Sequence, residues 1–101
     1  MIRIAVAFGV LVGMAGGAAA SCPPPRWDFP YRGKLTVQRL DPARLAVACQ
    51  STVGPFQILA GCAAVGRGWC RVYISTLSPD PTCSLKHEIA HCNGWPRSHP
   101  Q

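Results

Sequence analysis

The sequence predicts a small α+β domain, stapled by disulfides, with a β-hairpin or small antiparallel sheet and a C-terminal helix. Three observations lead there. Asp-Pro occurs twice, at 41–42 and 80–81; the aspartate suits a helix N-cap and the proline the first helical position. β-Branched and aromatic residues gather in "KLTVQRL" and "WCRVYIS", as strands require. Six cysteines lie in 101 residues, an even count that favours three bridges in an exported domain too small to rely on its core alone.

The first segment, "MIRIAVAFGVLVGMAGGAAASC", has Arg3, an apolar run from Ile4 to Met14 and the small residues Ala18-Ala19-Ala20. It reads as a signal peptide over 1–20, cleaved after Ala20, and its apolar run is short for a membrane span. Residues 21–33 then form a Pro-rich arm, expected to be extended because proline suits neither helix interiors nor central strands. Trp27, Phe29 and Tyr31 alternate along it and are expected to pack it onto the domain.

The remaining stretch, 34–101, is read as one minimal metal-binding domain. Residues 34–40 form a strand. A short helix over 41–50 presents Leu45 and Cys49 to the core. After the turn "VGPF", residues 57–65 and 69–75 form a hairpin around Gly66-Arg67-Gly68. A last helix starts at Asp80-Pro81, runs to about Asn93 and stops at Gly94.

Ten Lys and Arg stand against four acidic residues, for a net charge of +6. The cations are scattered singly, without the runs or aromatic interleaving that track a phosphate backbone, so nucleic acid is not the expected partner. The predicted location is exported, periplasmic or secreted, as a monomer. "AAASC" also loosely fits a lipoprotein box, with Cys22 carrying a lipid anchor, but that would leave an odd thiol, and the soluble form is preferred.

All three histidines, His87, His91 and His99, fall in "LKHEIAHCNGWPRSHP". "HEIAH" is H-E-x-x-H, and four residues is just over one helical turn. His87 and His91 therefore share a face and can share one metal ion, with Glu88 beside them to take a proton from water. A catalytic zinc site takes three protein ligands and leaves one position open. Downstream of His91 the candidates are Cys92, His99 and the terminal carboxylate. Cys92 points about 100° away from His91 on a helix and is better used in a disulfide, whereas Gly94 can turn the chain so that His99 returns to the metal. His99 is the chosen third ligand.

"HEIAHCNG" resembles the opening of the metzincin zinc-peptidase signature, H-E-x-x-H-x-x-G-x-x-H. The signature's last position is Arg97 here, with the histidine two residues later, and no methionine follows Met14 to supply the methionine turn. The whole segment is also similar to the end of small exported bacterial proteins sharing H-E-x-x-H-x-N-G-W-P and a later histidine. That likeness implies a zincin-like minimal domain with bound Zn2+, acting on a peptide or protein substrate.

On this reading Glu88 is the catalytic base, and Tyr73 and Arg97 are candidate donors to a developing oxyanion. Trp95-Pro96 is expected to floor the site. The strand 69–75 can pair with an extended peptide if it is an edge. The alternative is a disulfide-rich envelope protein that binds zinc or another protein without turnover.

Overall fold

A computed structural model describes residues 21–50 and 59–101. The expected leader, the "VGPF" turn and the expected start of the second strand at Gln57 lie outside the described residues. Within them the chain forms strand β1 (Lys34–Leu40), helix α1 (Pro42–Ala48), strand β2 (Gly61–Gly66), strand β3 (Trp69–Ser75) and helix α2 (Pro81–Cys92). The arm carries a single 3-10 turn, Pro25–Trp27, which its extended reading did not include.

Both Asp-Pro pairs do what their chemistry implies. The Asp41 carboxylate accepts the Arg44 N–H at 3.0 Å and the Asp80 carboxylate accepts that of Cys83 at 3.1 Å, with proline in the first turn each time. The other end of α2 closes on Gly94 (φ 102°). There the Trp95 N–H donates to Ala90 O and the Gly94 N–H to His91 O, the bond pair of a Schellman motif.

The sheet order is β1-β3-β2. β2 and β3 form the expected antiparallel hairpin, closed by Arg67-Gly68 with Gly68 at φ 76° and Gly66 paired to Trp69. β1, however, pairs with β3 in parallel, from Lys34↔Trp69 to Leu40↔Ser75. The sheet is therefore mixed rather than antiparallel. Because α1 follows β1 and leads to the far edge, the hairpin must return β3 between the two, in the direction of β1. β3 is thus the central strand and not an edge.

Alternation along β3 divides the sheet into two faces. Cys70, Val72 and Ile74 are buried on one face with Cys92 of α2, and Leu35, Ala63, Leu85, Ile89 and Tyr31 pack around them. On the other face Tyr73 pairs with Cys62, which is bridged to Cys49 at the end of α1, and Leu45 of α1 is fully buried. The three layers are α1, sheet and α2.

Three disulfides join them: Cys22–Cys83 ties the arm to α2, Cys49–Cys62 ties α1 to β2, and Cys70–Cys92 ties β3 to α2. The arm also lies along α2. Lys86 pairs with Asp28 at 3.6 Å and the Asn93 side chain donates to Phe29 O at 2.8 Å. Tyr31 joins the core and Trp27 is half-buried against a stacked, exposed Phe29.

With so small a core, the bridge inside it carries much of the stability. Replacing both Cys70 and Cys92 by alanine is expected to cost about 2–4 kcal/mol, measured as a lowered denaturant midpoint.

Candidate metal centre

Helix α2 sets His87 and His91 one turn apart, with His87 buried and His91 half-buried. Beyond the helix, the Schellman turn sends the chain back, and a second turn closes where the His99 N–H donates to Pro96 O at 2.9 Å. Arg97 and Ser98 occupy its exposed tip, so the two residues that exceed the metzincin spacing are absorbed outward. His99 itself adopts a left-handed backbone (φ 58°), a conformation uncommon outside glycine that persists where surrounding contacts enforce it.

The outcome is a triangle of imidazole nitrogens. The Nε2 atoms of His87 and His91 are 3.3 Å apart, those of His91 and His99 3.2 Å, and those of His99 and His87 3.2 Å. A tetrahedral ion with metal–nitrogen bonds of about 2.0–2.1 Å has nitrogen–nitrogen edges of about 3.3 Å. The three residues expected from the sequence are therefore brought together in a group that can hold a metal ion.

The other ring nitrogens decide what fills that triangle. His87 Nδ1 donates to Ser21 O and His91 Nδ1 to Trp95 O, each at 2.7 Å. A carbonyl only accepts, so each Nδ1 carries its ring's proton and each Nε2 presents a lone pair. Of the three converging nitrogens, only that of His99 is left to carry a hydrogen when the rings are neutral. Nor do protons readily fill the gap. Burial lowers the pKa of His87 to about 4, with the charges of His91 and His99 adding to the effect and the Ser21 bond opposing it. Burial likewise lowers His91 and His99. Lone pairs aimed at one point with protonation disfavoured form a site for a cation.

Trp95 is the floor. It is 3 % exposed, stacks on His91 with centroids 5.0 Å apart, and meets His87 and His99 edge-on at 5.0 and 4.8 Å. Its indole N–H donates to Pro100 O at 2.8 Å, which secures the tail just after His99. Pro96, read from the sequence as part of that floor, is exposed.

Glu88 is not a member of the ligand group. It is buried, and its Cγ lies 3.4 Å, an ordinary van der Waals distance, from where a Cβ on Gly61 would stand, so Glu88 packs against the start of β2. Burial raises its pKa to about 8, with Arg97 pulling the other way. The Arg97 charge also lowers His91. Tyr73 faces α1 across the sheet and is removed from the donor candidates. Two contributors are not legible in the sequence: the Ser21 carbonyl, a backbone atom, and Gly61, the residue of β2 against which Glu88 packs. No protein-family model, curated protein or solved structure matches the chain.

Two expectations follow. His99→Ala should loosen zinc by orders of magnitude in titration against a chelator, whereas Arg97→Ala keeps it, because guanidinium has no lone pair to offer. The second concerns pH in the metal-free domain. Folded Glu88 holds its proton up to about pH 8, and unfolded Glu88 releases it from the ordinary value of 4.5. The unfolded state then binds fewer protons, so stability falls as pH rises through that window. The histidines oppose this only below their ordinary 6.5. From pH 6.5 to 8 the melting temperature should decline, and Glu88→Gln should flatten the decline in melts with excess chelator.

Proposed function

We propose that this chain is an exported zinc-dependent hydrolase of the metallopeptidase kind. The observation that carries the reading is a three-imidazole site with no fourth protein ligand in its group, beside a buried glutamate that is not a ligand. A structural zinc site closes its fourth position with Cys or His, whereas a catalytic one leaves it open. Here all six cysteines are bridged and no fourth histidine exists. The other acids are engaged elsewhere: Asp28 with Lys86, Asp41 with Arg44, and Asp80 at the α2 cap.

Zinc, among the metals that imidazole suits, fits the tetrahedral spacing and when bound supplies a Lewis acid that also acidifies water. Glu88 performs the proton transfers: it accepts a proton from the attacking water and returns it to the leaving amine. Burial raises the Glu88 pKa to about 8 in the metal-free protein; a bound cation nearby would lower it and so free the carboxylate to accept that proton. Arg97 supplies positive charge beside the site for the developing oxyanion. The substrate is a peptide or protein. An extended chain has no free edge on β3, but β2 is the outer strand and its first residue lies under Glu88. Pairing along β2 would carry a peptide past the base.

Three disulfides suit an oxidising compartment, in keeping with a leader over 1–20. The Cys22–Cys83 bridge uses the sulfur that a lipid anchor would need, which favours the soluble form. A second reading, zinc binding without turnover, draws on one observation. Two depressions on the described surface, of about 230 and 270 Å³, are lined by Val37, Arg39 and Leu85 and by Lys34, Thr36 and Trp69, away from the histidines.

Glu88→Ala separates the readings. It should retain one zinc per chain and lose hydrolysis of any peptide the wild type cleaves. Loss of the metal would contradict the role given to Glu88, and a wild type that binds zinc but cleaves no member of a peptide library would favour the second reading.

A further inference from the structure

We propose that the Cys22–Cys83 bridge sets the metal affinity of the histidine cluster by holding the Ser21 carbonyl on His87, which makes Ser21 a positioning residue and the bridge a redox control. This rests on the metal-centre reading given above. Cys83 and His87 are four residues apart on α2 and so share one helix face. The arm uses both. Cys22 is bonded to Cys83, and the preceding residue, Ser21, accepts the His87 Nδ1–H at 2.7 Å. Its carbonyl reaches the ring because the next residue is covalently fixed one turn away.

That hydrogen bond does three things for the metal. It selects the tautomer whose Nε2 carries the lone pair, it stops the ring from rotating about its bond to Cβ, and it makes Nε2 a better donor. Loss of such a partner typically weakens metal binding by about 10–100-fold. His91 receives the same support from Trp95 O, a carbonyl built into the helix-ending turn that needs no bridge. His87 alone depends on a separate piece of chain.

The bridge is also placed to be opened. Cys22 is exposed and Cys83 half-buried, whereas Cys70 and Cys92 are 1 % and 7 % exposed. Thiol–disulfide exchange needs access to a sulfur. A dithiol reductant transfers two electrons and two protons: its thiolate attacks one bridge sulfur, Cys22 and Cys83 end as thiols, and the reductant ends as a disulfide. The core bridge stays closed, so the metal site loosens without unfolding of the domain.

The test compares zinc affinity, by chelator competition, in the oxidised wild type, in Cys22→Ser/Cys83→Ser and in Cys49→Ser/Cys62→Ser. The first pair should bind about 10–100-fold more weakly. The second, which removes a bridge on the other sheet face, should bind within about twofold of wild type while also melting lower. Should Cys22→Ser/Cys83→Ser not fold, wild type reduced until only Cys22 and Cys83 take an alkylating label gives the same comparison. Nitrogen-15 NMR of the metal-free proteins reads the coupling without metal: His87 should be the Nδ1–H tautomer in wild type and shift toward Nε2–H when the bridge is gone. Unchanged affinity with an unchanged tautomer, or equal losses from both bridge variants, would overturn the proposal. A wild type that takes up no metal would instead refute the metal-centre reading, and the tautomer shift would still decide whether the bridge positions His87.

Discussion

Three imidazole nitrogens converge within 3.3 Å of one another with at most one hydrogen among them when the rings are neutral, and the C-terminal third of the protein is arranged to hold them there. Helical spacing aligns two rings, while the turn through Gly94 and the left-handed His99 bring in the third. Trp95 prevents all three from tilting away, and two carbonyls prevent two of them from changing tautomer. Without an ion the hydrogen on His99 can be shared with only one neighbour at a time, and packing and covalent bonds keep the third nitrogen in place. With one, the same geometry becomes the source of binding energy, since no ligand has far to move.

That arrangement needs a rigid support, and the domain has little apolar material from which to build it. Few side chains outside the histidine region are fully buried, and two of the core's members are the half-cystines Cys70 and Cys92. Cross-links supplement the small core: the arm and β3 are bridged to α2, and α1 is bridged to β2.

The local features were legible in the sequence because they are set by local chemistry. Both helix starts follow from Asp-Pro, the end of α2 from Gly94, the first strand from its β-branched residues, and the three converging candidate ligands from the chain's only histidines. What was not legible depends on long-range placement. Composition gives no sign that β1 pairs in parallel and leaves β3 in the centre, and that order moved Tyr73 to the far face. Six cysteines allow 15 pairings. The Ser21 carbonyl is a backbone atom that any residue carries, and only its position near His87 gives it meaning. Gly61 reads as a strand glycine until Glu88 is seen against it.

The spacing of the bridges bears on how the molecule is assembled. Their half-cystines are 13, 22 and 61 residues apart along the chain. Closing the longest loop costs about 1.4 kcal/mol more entropy than closing the shortest, so the two local bridges have the head start during oxidation and Cys22–Cys83 is the natural last step. A chain arrested one bond short would already hold its sheet and its metal helix, yet lack the carbonyl on His87. If that bridge governs the histidine cluster as proposed, metal uptake would act as a proofreading mark, separating a fully oxidised chain from one that is folded but incomplete.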